Sequence, residues 1–181
     1  MQITVTYKRV RRLSLRVTSR GEVHVSAPVG TLKSDVQRFI RENQEWILRA
    51  VARTEQRQDQ RQQFYDRLPL TTRNERTEAQ QRLDAIVQPL IARYEPLMGV
   101  RHSGITYKRL RSRWGSCNVR SHELTFSLYL LLLPDWCIEH VVVHELAHLL
   151  VPNHSPAFHH VMDRFFPRWR EARAHVRSLM Q

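Results

Sequence analysis

The sequence predicts a fold of mixed α and β elements, with short strands at the N-terminus and a hydrophobic helix near the C-terminus. Three observations support this prediction. In the first 28 residues, β-branched residues alternate with polar ones in "ITVTY", "LSLRVTS" and "EVHVSAP". From Thr31 onward, apolar residues recur at spacings of three and four, which is the helical period. The stretch "VVVHELAHLL" at 141–150 is built mainly from Val and Leu around its histidines.

The first strands and the helix after them form a small N-terminal lobe, which we assign to residues 1–55. Ser19, Arg20 and Gly21 separate the second strand from the third and favour a turn, so a β-hairpin is expected. The apolar residues between Thr31 and Val51 then predict a helix that completes the lobe.

A polar segment follows, and its composition predicts a helical linker over residues 56–82. Gln, Arg, Glu and Thr dominate it, and Pro69 is expected to interrupt the helix. An amphipathic helix is predicted from about Arg76 to Tyr94, with a kink at Pro89. The alternative to this division is one compact domain for the whole chain.

Residues 83–181 contain two further strands and the hydrophobic helix. "ITYKRL" and "HELTFSLYL" predict neighbouring strands, and the basic stretch "RSRWGSCNVRS" between them predicts a loop or a bulged hairpin. Pro134 is expected to begin the helix, with Asp135 and Glu139 near its positive end. Pro152 is expected to stop it.

The composition restricts the possible partners. The formal net charge is +12, and only three of the 29 basic residues are lysine. Arginine suits phosphate and carboxylate groups, so a nucleotide, a nucleic acid or an acidic surface are candidate partners. Because the arginines are spread along the chain, a role in solubility alone is the alternative. Neither a signal peptide nor a membrane span is recognisable, so we expect a cytoplasmic protein with no membrane partner.

The "HELAH" stretch has the spacing of a metal site. His144 and His148 are four residues apart, so on a helix both imidazoles can reach one ion. In such sites the glutamate, here Glu145, takes a proton from the water that the metal acidifies. Catalytic zinc usually keeps three protein ligands and one open position, and His154 is the expected third ligand.

Other groups compete with His154 for the third position. Glu171 has the placement expected of a carboxylate ligand on a later helix. Further downstream candidates are His159, His160, Asp163 and His175. His154 is favoured because the short loop brings it close and zinc sites favour imidazole. His140, one turn before His144, is expected behind the ligands or at the surface. The alternative to a metal site, buried structural histidines, requires a polar partner for each ring.

Three stretches carry a resemblance to a known family. They are "SRWGSC" at 112–117, "VVVHELAHL" at 141–149 and "NHSPAFHHVM" at 153–162. In these the sequence resembles the YgjP-like metallopeptidases, bacterial zincin-type metal-dependent hydrolases related to SprT-like proteases. The N-terminal "APVGTLKSDVQRFIRENQEWI" extends the resemblance less specifically. The resemblance implies a zincin-like α+β fold with an antiparallel sheet, an HExxH active-site helix, one zinc ion and His154 as third ligand.

The resemblance also selects residues around the metal. Arg113 and Trp114 match the second family motif, and we expect them in a loop beside the ion. Arg113 is a candidate to orient a carbonyl or phosphate oxygen, and Trp114 to form a wall of the cleft. Structural support is the alternative for both. His159 and His160 are candidates to stabilise an oxyanion, and a surface location is the favoured alternative for at least one of them. Cys117 is expected to be packed.

Three functions follow, with a zinc metallopeptidase favoured. In that reaction Glu145 is the general base, and "HELTFSL" is expected to align an extended substrate as an edge strand. The first alternative is a nucleoside triphosphate (UTP) pyrophosphatase, a label that one family member carries, with Arg109, Arg111 and Arg113 holding phosphates. The second is a SprT-like protease acting at nucleic acid, or a basic nucleic-acid binding module with structural zinc.

Overall fold

The computed structural model describes residues 2–179 and divides the chain into two compact units. Unit 1 extends to Gln62 and unit 2 begins at Gln63. The boundary lies inside the segment predicted as a polar helical linker. Within residues 2–179, no helix combines the length and the apolarity needed to cross a membrane.

Unit 1 contains a three-stranded sheet followed by helices. Its elements are β1 (Ile3–Lys8), β2 (Ser14–Val17), β3 (Val23–Pro28), α1 (Lys33–Glu42) and the first part of α2 (Gln44–Asp66). The strand order is β1-β3-β2, with β3 parallel to β1 and antiparallel to β2. The predicted hairpin is therefore confirmed, and Gly21 in its turn has a φ of +79°, which glycine adopts without strain.

The single helix predicted across Thr31–Val51 is wrong, because the chain breaks between α1 and α2 at Asn43. The Asn43 side-chain amide donates to the Phe39 carbonyl at 2.8 Å, and its backbone N–H also points to that carbonyl. A short polar side chain that bonds to the preceding turn competes with regular helix hydrogen bonds. The apolar period continues across the break, so the pattern alone did not reveal it.

Unit 2 contains a second three-stranded sheet and four further helices. Its elements after α2 are α3 (Arg73–Met98), β4 (Gly104–Lys108), β5 (Gly115–Asn118), β6 (Glu123–Ser127), a 3₁₀ turn (Leu128–Leu132), α4 (Asp135–Ala147), α5 (Pro156–Phe165) and α6 (Trp169–Ser178). The predicted interruption near Pro69 is confirmed, since α2 ends at Asp66 and α3 begins at Arg73.

The expectation of an antiparallel sheet is wrong in part, because both sheets are mixed. In unit 2 the order is β4-β6-β5, with β6 parallel to β4 and antiparallel to β5. Two reversals of chain direction leave the first and third strands parallel, and the third strand lies between the other two. The "HELTFSL" stretch forms β6 and is therefore the central strand, so it cannot be the edge strand that aligns a substrate.

The core of unit 2 surrounds α4. This helix packs against α3, α5, α6 and β5, and Val142, Val143 and Leu146 are completely buried. Burying an aliphatic side chain of this kind contributes about 1.5–3 kcal/mol. The helix begins after Pro134 as predicted, but it ends at Ala147, five residues before Pro152. A turn follows it, in which the Leu150 and Val151 N–H groups both donate to the Ala147 carbonyl at 3.0 and 2.9 Å, so the prediction that Pro152 stops the helix is wrong.

The N-terminus of α3 is held by a reciprocal cap, and its removal is our first prediction. The Thr72 hydroxyl accepts from the Glu75 N–H at 3.2 Å, and the Glu75 carboxylate accepts from the Thr72 N–H at 2.8 Å. We expect Thr72→Ala to lower the free energy of unfolding by about 1 kcal/mol in urea denaturation. Thr77→Ala, the same change inside the helix, should be neutral or stabilising because alanine has the higher helix propensity. Equal losses in both variants would contradict the cap.

The same cap makes stability depend on pH. Hydrogen bonds from Thr72 and Thr71 lower the pKa of Glu75 from 4.5 to about 2. Since the folded-state pKa is the lower one, the Glu75 contribution is present above pH 4.5 and is lost as the pH falls towards 2. The stability difference between the wild type and Glu75→Gln should therefore narrow over that range. Glu78→Gln, an exposed change on the same helix, should show no such narrowing.

Candidate metal centre

Three histidines from α4 and the following loop converge on one point. His144 and His148 lie at the end of α4, and His154 follows in the loop before α5. One potential ligand atom from each lies within 4.8 Å of the other two. The Nε2 atoms of His144 and His154 are 3.0 Å apart. The structure thus brings together the three predicted ligands.

One apolar ring supports all three imidazoles. The centroid of the buried Phe158 ring lies 4.9 Å from His144, 4.7 Å from His148 and 4.9 Å from His154. Phe158 belongs to α5, which begins at Pro156 directly after Ser155, as the sequence predicts. The start of this helix therefore places the ring against the imidazoles.

Burial favours the neutral form of the His144 and His148 imidazoles. Burial lowers the pKa of His144 to about 3, and the neighbouring histidines add to the effect. Burial also lowers the pKa of His148. The Nδ1 atom of His148 lies 3.3 Å from the Val151 carbonyl, which can only accept, so Nδ1 carries the proton. Its Nε2 lone pair is then available for a metal ion.

This donor set fits a divalent ion such as zinc. Tetrahedral zinc with Zn–N bonds of about 2.0–2.1 Å holds its nitrogen ligands about 3.4 Å apart, close to the separation of His144 and His154. Among residues 2–179, no fourth His, Cys, Asp or Glu joins this group. The group therefore supplies three protein ligands and leaves a position open, which is the pattern of catalytic zinc.

The rival third ligands lie elsewhere and have other partners. Glu171 accepts from Arg168 at 3.0 Å on the surface of α6. Asp163 accepts from the Trp169 indole at 2.8 Å and from Arg170. The His175 ring packs against Trp136 at 5.4 Å. None of them belongs to the convergent group.

Glu145 is buried beside the histidines and lies against β5. Burial raises its pKa to about 8, and the nearby charge of Arg113 acts in the opposite direction. A Cβ built on Gly115 would lie 2.6 Å from Glu145 Oε1 and 2.8 Å from Cγ. The backbone of β5 can approach the carboxylate this closely only because position 115 has no side chain.

A cleft of about 550 Å³ opens over this group. Of the predicted residues, it is lined by Arg113, Trp114 and His159, together with His144, Glu145 and His154. His160 is exposed and lines a separate groove with residues at the end of α3, so the structure does not bring it into the cleft. The α5 helix thus presents only one of the two adjacent histidines to this site.

His159 is held in a defined orientation. Its ring stacks on Trp169 with centroids 5.1 Å apart and an interplanar angle of 5°. The Trp169 indole donates to Asp163 at 2.8 Å, and the Arg170 guanidinium lies 4.3 Å from the Trp169 centroid. These contacts fix the tryptophan and, through it, the imidazole at the cleft.

Of the three arginines considered for phosphate binding, the cleft lining includes only Arg113. Arg109 donates to the Leu70 carbonyl at 3.2 Å. The Arg111 guanidinium lies over the rings of Tyr65 and Tyr129, 4.9 and 5.7 Å from their centroids. The predicted phosphate clamp is therefore not assembled, because two of its members contact other parts of unit 2.

Sequence reasoning missed several residues of the cleft. Arg173 and Trp169 reach it from α6, and no local pattern marks them. His140, expected behind the ligands or at the surface, is buried and lines the cleft, and its Nδ1 has no hydrogen-bond partner among the described residues. The role of Gly115 could have been predicted, since a glycine inside a strand often marks a place where another group approaches the backbone closely. Cys117 is half-buried and packed, as expected, and burial raises its pKa to about 11.

Comparison with known proteins identifies a family, and the solved structures similar to this chain include two distant metallopeptidase zymogens. A family model described as YgjP-like, metallopeptidase domain, matches residues 11–78 and 66–179. The metallopeptidase zymogen abylysin of Pyrococcus abyssi superposes with a TM-score of 0.47 at 21% identity, over 51% of this chain and 92% of that one. The zymogen jannalysin of Methanocaldococcus jannaschii gives 0.46 at 16% identity, over 55% and 97%. No curated protein sequence matches the chain. The family model, which spans most of the chain, therefore carries the assignment.

The contact between Gly115 and Glu145 generates the third prediction. Glu145 is 5% exposed, so its side chain has little room to move away from an added methyl group. Gly115→Ala should lower the free energy of unfolding by about 1–3 kcal/mol, as overpacking does, and a crystal structure should show a displaced carboxylate. Gly104→Ala is the matched control, because a Cβ there meets nothing within 4 Å. Equal stability of the two variants would contradict the proposed crowding.

Proposed function

Because the chain belongs to the YgjP-like metallopeptidase-domain family and is a metal-dependent hydrolase, we propose that it cleaves peptide bonds with one zinc ion. The observation that carries the proposal is the convergence of three imidazoles beside a buried carboxylate, in an open cleft. Three nitrogen ligands and an open position distinguish a catalytic zinc site from a structural one, which a fourth protein ligand would close.

His144, His148 and His154 would hold the ion, in a zincin-like arrangement with two ligands from one helix. Phe158 supports this role because it fixes the orientation of all three rings. When bound, zinc supplies Lewis-acid chemistry, which polarises a carbonyl group and makes water a better nucleophile at neutral pH.

Glu145 is proposed as the general base. Its carboxylate accepts a proton from the attacking water and returns it to the amide nitrogen as the C–N bond breaks, so the products are a carboxylate and an amine. A divalent cation nearby would favour the ionised form of Glu145 despite its burial. Gly115 supports the assignment, because its missing side chain lets the carboxylate fit between α4 and β5.

Substrate alignment is proposed along β5 in place of β6. This strand is at an edge of the unit 2 sheet, and its first residue contacts Glu145. An extended peptide that pairs with a sheet edge presents successive carbonyl groups in a fixed register. Arg113 and His159 line the same cleft and are proposed to stabilise the oxyanion that develops on the attacked carbonyl. Trp114 would form the cleft wall.

Removal of the proposed base is the fourth prediction. Glu145→Gln keeps the size of the side chain but cannot accept the proton, so turnover should fall about 10³-fold. The assay incubates zinc-loaded protein with unstructured peptides and UTP and identifies new termini or nucleoside monophosphate by mass spectrometry. Zinc content, measured by elemental mass spectrometry, should remain one ion per chain in this variant.

One ligand variant and one control variant separate loss of the metal from loss of the base. His154→Ala should lose both zinc and turnover, whereas Glu171→Ala should retain both because Glu171 lies on the surface of α6. Appreciable peptide cleavage by Glu145→Gln would exclude Glu145 as the base. Pyrophosphate release from UTP without any peptide cleavage would exclude the peptidase assignment.

A further inference from the structure

Unit 1 contains a groove of about 610 Å³, separate from the cleft beside the histidines. It lies between β2 and the N-terminal part of α2. Its apolar floor includes the half-buried Leu15, Val17 and Ala50. All its lining residues lie between 15 and 57, so the groove belongs to unit 1 by itself.

Four exposed arginines border this groove. Arg49, Arg53 and Arg57 follow one another at intervals of four on α2, and Arg16 contributes from β2. On a helix, residues four apart are separated by about 6 Å along the axis, so the guanidinium groups form a row. Unit 1 as a whole carries thirteen Lys and Arg against six Asp and Glu, a net charge of +7 in a third of the chain.

Little of this charge is neutralised within unit 1. Arg49 donates to Glu45 at 2.9 Å, but no ion pair involves Arg16, Arg53 or Arg57 within residues 2–179. Like charges four residues apart destabilise a helix, so the row lowers the stability of α2. An anionic chain lying along the row would remove that repulsion. The arrangement therefore favours a ligand with repeated negative charges.

Trp46 indicates which polyanion fits. Its side chain lines the groove one turn before Arg49 and is 49% exposed, although it is large and apolar. Proteins that bind single-stranded nucleic acid combine a basic groove with aromatic rings on which bases stack. An acidic peptide would use the arginines but has no group that requires an exposed indole.

We propose that this groove binds single-stranded nucleic acid. The phosphates contact the arginine row, and one base stacks on Trp46. A single strand is favoured over a duplex because its unpaired bases are free to stack on the exposed indole. The proposal does not depend on the hydrolase activity of unit 2.

The test measures binding of a fluorescein-labelled twelve-nucleotide oligothymidylate to the full chain by fluorescence anisotropy, from 50 to 300 mM salt. Each phosphate contact contributes about −0.7 to the slope of log K against log salt for single strands. The double variant Arg53→Gln with Arg57→Gln should reduce the steepness of the slope by about 1.4. Trp46→Leu should weaken binding about tenfold and leave the slope unchanged, because it removes stacking alone.

A charge-matched control separates the groove from general basicity. Arg73→Gln with Arg82→Gln removes the same charge from exposed positions on α3 and should bind as the wild type does. Equal losses in both double variants would overturn the proposal, as would the absence of binding at 50 mM salt. The groove would instead be assigned to acidic polypeptides by two results together. Polyglutamate would compete as well as unlabelled oligonucleotide, and Trp46→Leu would leave the binding affinity unchanged.

Discussion

The structure of unit 2 is constrained by α4, which places ionisable side chains inside an apolar core. Val142, Val143 and Leu146 are completely buried, and Glu145 between them is 5% exposed. A carboxylate or imidazole in such surroundings loses hydration and costs stability unless it finds a partner. The pKa shifts of His144 and Glu145 have this origin, since burial is the largest cause in both. A divalent ion in the cleft would offset part of this cost, because it would accept imidazole lone pairs and favour the ionised form of the carboxylate.

Packing, more than hydrogen bonding, holds this group in place. Among the three histidines only His148 bonds to a backbone carbonyl, whereas Phe158 contacts all three rings. Gly115 acts in the opposite sense, because it leaves space where a side chain would collide with Glu145. The Phe158 ring therefore limits where the imidazoles can lie, and the missing side chain of Gly115 provides the space for the Glu145 carboxylate. Neither residue has a polar group, so a search for reactive side chains alone does not find them.

The sequence predicted the arrangement of site residues that lie close together along the chain. It did not predict contacts between residues that are far apart in sequence. His144, Glu145 and His148 share one turn of helix, and His154 is constrained by a short loop, so spacing alone was sufficient to place them together. The contact of Gly115 with Glu145 joins residues thirty positions apart, and the central position of β6 depends on strand order. His159 and His160 are neighbours in sequence but point to different grooves. Periodicity predicts helices and strands, and it does not predict which elements become neighbours.

The two units differ in the size of their apolar cores and in their net charge, although both sheets have the order first, third, second strand. In unit 2 the buried polar side chains, Glu145 among them, are surrounded by a large apolar core. In residues 2–62 only Val23, Val25, Ala27, Val36 and Ile47 are buried apolar residues, and that small core carries the larger net charge. Self-repulsion destabilises a compact state, and a small core has little stability to spare. Eleven of the thirteen basic residues in unit 1 are arginine, whose planar fork matches phosphate better than the lysine ammonium does. A destabilising concentration of one residue type along one groove is better explained by recognition of an anion than by solvation of the surface.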